Sequence, residues 1–296
     1  MCRHLAYAGQ PVSLRAALID PPHGLVVQAW APRRQQHGVV NADGFGIGWY
    51  ADGDPVPARY RRAGPIWSDE SFADLARVTS TRALLGAVRS ATAGTDAGPA
   101  AAAPYAAGRW LFSHNGALYG WPAAAAGLGT GKTGPGSVST GRPATADGST
   151  AVLGLTAGLP VADLLGLAAR CDSALIWVMV LGRLRAGAGL AEALTGTLGD
   201  LAVSGVTGRF NLLLTDGASI AATAAGDSLC YRQTATGVTV ASEPCDDDGW
   251  QDIPDDSVLE ATPESVIVRP LTVESGACRE PASAPTAVPN GERTSP

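Results

Sequence analysis

The stretch Met1-Cys2-Arg3-His4-Leu5-Ala6-Tyr7 opens the chain, and the rest is read outward from it. Methionine aminopeptidases act when the second side chain is small, and Cys2 qualifies. The processed chain would begin at Cys2, with a thiol and a free α-amino group on one residue. An unperturbed α-amine has a pKa of roughly 7.7–8, so near neutral pH much of it can accept a proton. An N-terminal amine beside a nucleophile is a recognised way to activate it. Taken alone, Cys2 also reads as a small residue beginning a strand. The first reading requires that the remaining chain supply an oxyanion hole and a substrate clamp.

Composition narrows the classes. The 296 residues are 46% hydrophobic, ample for a sizeable core, and carry a formal net charge of -6. The basic residues are scattered, with isolated pairs at Arg33-Arg34 and Arg61-Arg62, so no footprint for nucleic acid is expected. Cys2, Cys171, Cys230, Cys245 and Cys278 are too dispersed for a metal site and fit a reducing compartment. No secretion leader and no bilayer-length apolar run is read, since a span needs ~18 residues. A soluble cytoplasmic protein with no membrane partner is expected.

Strand-like runs separated by glycine-rich turns fill the first half: Arg3–Ala8, Gly44–Ala51, Leu84–Ala91 and Arg109–His114. Short helices are predicted from Ser13 to Leu18 and over Ser71–Val78. From Pro122 to Thr150 the composition turns to Ala, Gly, Ser, Thr and Pro, which predicts a flexible insertion. Within it, Gly127–Thr133 imitates a phosphate loop, but Ala126 stands where the pattern demands glycine and no strand precedes it. Helices follow over Val161–Arg170, Asp172–Leu184 and Leu190–Leu201. Short strands return at Phe210–Thr215, Ile220–Thr223, Leu229–Arg232, Val238–Ser242, Ser257–Ala261 and Val266–Val268. The order predicts an α+β fold with mostly antiparallel sheets, one catalytic domain over 2–274 and a disordered tail over 275–296.

Three further segments carry chemistry. In Asn41-Ala42-Asp43-Gly44-Phe45-Gly46-Ile47-Gly48-Trp49, glycines at alternate positions bare one face of a strand, for close sheet packing or for a ligand. Val88-Arg89-Ser90-Ala91-Thr92 ends an apolar run with a guanidinium that cannot shed its charge and needs an anion, from substrate or protein. Phe112-Ser113-His114-Asn115-Gly116 offers an amide donor at Asn115 and an unhindered backbone N–H at Gly116, a pair suited to an oxyanion hole or to a plain hairpin.

In order and spacing, these segments and Cys2 resemble the class II glutamine amidotransferases, a family of N-terminal-nucleophile hydrolases. The resemblance runs from Cys2 to about Leu271. It implies a four-layer αββα sandwich of two mostly antiparallel sheets, Cys2 as nucleophile with its α-amine as base, and Asn115 and Gly116 as the oxyanion hole. It also implies that Arg89, with Thr92 and Ser90 beside it, holds the α-carboxylate of a γ-glutamyl group. Asp172, in Cys171-Asp172-Ser173, would receive the α-ammonium, its other reading being a helix cap. The resemblance requires no metal or organic cofactor.

The chain departs from the family at Ala87, where many members carry histidine, at Ser90, where many carry tryptophan, and at Ala174, where many carry glutamate. Ser90 would open the pocket wall, consistent with a leaving group other than ammonia. The wording of Met1–Tyr7, Gly108–Gly116 and Ala241-Ser242-Glu243-Pro244, followed by an acidic run and Trp250, points to a free-standing amidohydrolase within that family. Its small-molecule substrate would carry a quaternary ammonium, for which Trp49, Trp67, Tyr105 and Trp110 are possible walls. Arg33, Arg34 and Asp43 are candidates for the same mouth. A glutaminase subunit serving a separate synthase and a catalytically silent binding protein are the alternatives.

Overall fold

Strand β1 (Cys2–Ser13) sets the architecture. Successive side chains point to opposite faces, so Cys2, His4, Ala6 and Ala8 share one face while Arg3, Leu5 and Tyr7 share the other. Leu5, Ala6 and Ala8 are all buried, which places β1 inside a sheet covered on both sides. In the computed structural model, residues 2–92, 94–121 and 148–272 are described. Met1, most of the predicted insertion with its phosphate-loop imitation, and the predicted tail lie outside them.

The described elements are helices α1 (Leu14–Leu18), α2 (Leu25–Trp30), α3 (Glu70–Val78), α4 (Gly148–Ala157), α5 (Val161–Leu165), α6 (Asp172–Arg185) and α7 (Leu190–Val203). With β1 the strands are β2 (Phe45–Trp49), β3 (Ala58–Arg62), β4 (Ser80–Arg89), β5 (Tyr105–Ala107), β6 (Trp110–Leu118) and β7 (Gly208–Thr215). After them come β8 (Ile220–Ala224), β9 (Cys230–Thr234), β10 (Gly237–Ala241), β11 (Gln251–Asp252), β12 (Ser257–Thr262) and β13 (Ser265–Pro270). One sheet runs β11-β9-β10-β1-β4-β2-β3 and the other β13-β12-β8-β7-β6-β5. The strand pairs are antiparallel.

Three buried clusters define the layers. Leu5, Leu14, Leu18, Leu25, Phe45, Ile47 and Phe72 join the outer face of the first sheet to α1–α3. Ala6, Ala8, Leu85, Leu111, Leu213 and Ala222 fill the space between the sheets. Phe112, Trp121, Trp177, Leu194 and Phe210 join the second sheet to the later helices. This is the expected αββα sandwich. The glycine face of β2 belongs to its tight middle: a Cβ at Gly46 would overlap the Ala103 carbonyl, and one at Gly48 the Leu111 side chain. Among the described residues, no helix is long and apolar enough to cross a membrane.

Three expectations shift. The helix expected over Val161–Arg170 stops at Leu165, with Gly166 as its C-cap. Helix α2 was not anticipated, because Val26 and Val27 weaken its helical signal. The edge strand β3 escapes the alternation test because Arg59, Arg61 and Arg62 dominate its short sequence.

Candidate active site

Antiparallel register brings the site together. Cys2 stands opposite Arg89 across β1 and β4, so both side chains leave the sheet on the same face. That face looks onto the second sheet, where β6 presents Asn115 and Gly116. The Cys2 main-chain nitrogen donates to Asn115 Oδ1 at 3.1 Å. Asn115 is fully buried, and among the described residues its Nδ2 has no acceptor. A buried amide N–H left unpaired costs about 1–3 kcal/mol, so a donor held in this way is ready for an acceptor that arrives with substrate. At Gly116 a Cβ would overlap the Arg209 carbonyl on β7, which restricts the position to glycine.

Arg89 is 7% exposed and closes β4. Its Nη1 donates to the Asp43 carbonyl at 3.3 Å, and its Nη2 to Thr95 Oγ1 and the Asp96 carbonyl, both at 2.9 Å. These acceptors are all neutral, and among the described residues the guanidinium forms no salt bridge. Thr92 takes part through its carbonyl, which accepts from Thr95 Oγ1 at 2.7 Å. The side chain touching Arg89 is therefore Thr95, which sequence reasoning missed. Ser90 lies beneath the connection between α2 and β2: its Oγ is 3.6 Å from where a Cβ on Gly38 would sit. Ser90 stays half-exposed beside that connection.

Asp172 is 4% exposed in the first turn of α6, and Cys171, not Asp172, is the N-cap. Its Oδ2 accepts from the Leu118 N–H at 3.0 Å and its Oδ1 from the Ser173 N–H at 2.8 Å. A carboxylate has about four lone-pair sites, and these bonds occupy two. Tyr105 and Cys171 lie close by, their side chains 3.1 Å apart. Burial, reinforced by Asp172, pushes the Cys171 thiol up to about 11, so it remains protonated near neutral pH.

Both histidines near the nucleophile are buried and neutral. His4 Nδ1 is 3.1 Å from Ser113 Oγ, and burial, then Arg3, then His114 bring its pKa down to about 3. His114 bridges the Arg209 carbonyl and Ser173 Oγ, and burial lowers its pKa as well.

The remaining candidates serve the fold or line other regions. Asp43 is committed to the fold, its Oδ2 accepting from the Ala91 N–H at 2.8 Å. Trp49 packs against the α1–α3 cluster, Tyr105 and Trp110 belong with the later helices, and Trp67 is exposed. Arg33 and Arg34 line a separate cavity of about 340 Å³ with His23, Glu243, Asp246, Asp247 and Trp250. Glu243 was quoted only for its wording, yet it is the anchor of this region. Fully buried, it takes His23 Nε2 at 3.0 Å and the N–H groups of Arg33 and Arg34, the latter at 2.6 Å.

Comparison with known proteins agrees with this geometry. No protein-family model matches the chain. A gamma-glutamyl-hercynylcysteine sulfoxide hydrolase from Mycolicibacterium smegmatis is 37% identical over 272 residues, 92% of this chain and 100% of that protein. The chain belongs to this hydrolase family. A Mycobacterium tuberculosis protein of the same name is 36% identical over 277 residues, 93% of this chain and 99% of that one. Among solved structures, a glutamine aminotransferase class-II domain protein from Silicibacter pomeroyi superposes with a TM-score of 0.62. It is 21% identical, covering 92% of this chain and all of that one. The glutamine phosphoribosylpyrophosphate amidotransferase of B. subtilis matches with a TM-score of 0.56 and 15% identity, over 92% of this chain and 50% of its own. These two likenesses bear on the fold alone.

Proposed function

We propose that this chain hydrolyses the γ-glutamyl amide bond of γ-glutamyl-hercynylcysteine S-oxide, releasing glutamate and hercynylcysteine S-oxide, a step of ergothioneine biosynthesis. The observation that carries the reading is the single side-chain amide of Asn115, whose oxygen holds the Cys2 nitrogen while its Nδ2 has no acceptor among the described residues. Full-length kinship to hydrolases of that name supports the substrate.

The chemistry is acyl transfer. Once Met1 is removed, the Cys2 α-amine takes the thiol proton and the sulfur attacks the γ-carbonyl carbon. The oxyanion accepts from Asn115 Nδ2 and the Gly116 N–H. Collapse of the tetrahedral species breaks the C–N bond, and the α-ammonium gives its proton to the departing amine. The amine form then activates a water that cleaves the thioester, releasing glutamate and restoring the thiol. Arg89 takes the α-carboxylate and Asp172 the α-ammonium, so the γ-glutamyl half is fixed at both ends before attack.

The test compares glutamate release from the γ-glutamyl sulfoxide with release from free glutamine. A kcat/KM for the sulfoxide well above that for glutamine is expected. Equal or faster turnover of glutamine would favour a glutaminase and overturn the substrate assignment.

A further inference from the structure

His114 lies one residue before the oxyanion-hole pair, but its ring points away from that chemistry into a hydrogen-bond chain ending at Asp172. Its Nε2 is 2.9 Å from the Arg209 carbonyl. A carbonyl can only accept, so Nε2 carries the ring proton. The ring is buried and stacks on Phe210 at 6.1 Å between centroids, and burial favours its neutral form. A neutral imidazole protonated at Nε2 has a lone pair at Nδ1, and Ser173 Oγ is 3.0 Å from that atom. The Ser173 hydroxyl therefore donates to His114. Among the described residues its other acceptor is Asp172 Oδ1 at 3.4 Å. One proton serves one of these two acceptors, and the nearer is the histidine.

We infer that His114 is a positioning residue: by accepting the Ser173 hydroxyl proton it keeps that proton off Asp172 and leaves the carboxylate open to the substrate ammonium. This rests on the reading that Asp172 receives the γ-glutamyl α-ammonium. Without an acceptor at position 114, the hydroxyl turns to Asp172 Oδ1 and competes with the substrate for the lone pair it needs. The arrangement makes an unusual forecast, because removing the competing hydroxyl as well should repair the damage.

The experiment measures KM and kcat for the γ-glutamyl substrate and for its glutaryl counterpart, which lacks the α-amine, with thermal melts to confirm folding. His114→Ala should raise KM for the γ-glutamyl substrate about 10- to 100-fold, the scale of a hydrogen bond to a charged group, and leave the glutaryl KM within about twofold. His114→Gln, which offers both an N–H and an acceptor oxygen, should restore it. Ser173→Ala should lower the melting temperature without raising KM, and the double variant should return KM to that of Ser173→Ala. Additive losses in the double variant, or a raised γ-glutamyl KM in Ser173→Ala, would overturn the inference. Asp172→Asn separates it from the reading beneath: if discrimination between the two substrates survives that change, the role of Asp172 itself falls. If Asp172→Asn abolishes discrimination and His114→Ala does not, only the role of His114 falls. Should His114→Ala not fold, Ser173→Ala and His114→Gln still decide.

Discussion

Two regions meet at Cys2 and are held by different means. In the first, Arg89, Asn115 and Asp172 stand on β4, β6 and the first turn of α6, so ladder register and a helix start fix their positions. At the rim, the connection 31–44 has no regular structure and depends on side chains that capture its backbone. Glu243 takes the N–H groups of Arg33 and Arg34, and Gln35 Oε1 accepts from Arg3 Nε and Asn41 Nδ2. The first region is set by topology and the second by a few buried polar groups. Substitutions in the first should therefore change rate and affinity, whereas those in the second should act first on stability.

Asn115→Ala should produce the largest effect. Loss of one oxyanion donor lowers kcat by about 10²–10³ with little change in KM, checked by steady-state kinetics. A rise in KM at constant kcat would move Asn115 from transition-state stabilisation to ground-state binding. Arg89→Lys keeps the charge but loses the planar fork, and KM should rise roughly 10- to 100-fold, equivalent to about 1.5–3 kcal/mol. Because Arg89 also holds Thr95 and Asp96, its melting temperature should drop slightly.

Glu243→Gln tests the other region. It weakens the capture of Arg33 and Arg34 and should cost about 1–3 kcal/mol in urea unfolding while kcat changes less than for Asn115→Ala. A catalytic loss matching that of Asn115→Ala, with unchanged stability, would erase the distinction between the two regions.

The smallest effect is on acid sensitivity. His4 titrates near 6.5 in the unfolded chain and at about 3 in the folded one, because burial disfavours its charged form. Between these values the unfolded state binds a proton that the native state does not. This contribution to stability is therefore lost as pH falls from about 6.5 to 3. His4→Gln should flatten the pH dependence of unfolding in that window, and an unchanged slope would mean that other groups dominate it.

The same division explains what could be read from sequence. Short motifs on regular elements, such as His114-Asn115-Gly116 on β6 and Cys171-Asp172-Ser173 entering α6, carry their geometry with them. Their element type fixes where each side chain points. Thr95 was missed because a hydroxyl six residues past Arg89 reaches it only by a loop turning back. Glu243 was missed as an anchor because its partners lie about 210 residues away, and no local pattern announces such a pairing. His114 was visible as a residue, but its two bonds depend on the packing of β7 and α6 around it. Arg33 and Arg34 were legible as charges but not as lining of a cavity separate from Trp49 and Trp110.

The central claim is that Cys2, freed by removal of Met1, is the nucleophile whose α-amine is the base. Intact-mass spectrometry of the purified protein before and after treatment with a thiol-directed glutamine analogue tests it most directly. The account predicts a mass lacking one methionine, one analogue bound per chain at Cys2, and activity lost in proportion. An active protein that retains Met1, or one that loses no activity when Cys2 is alkylated, would contradict it.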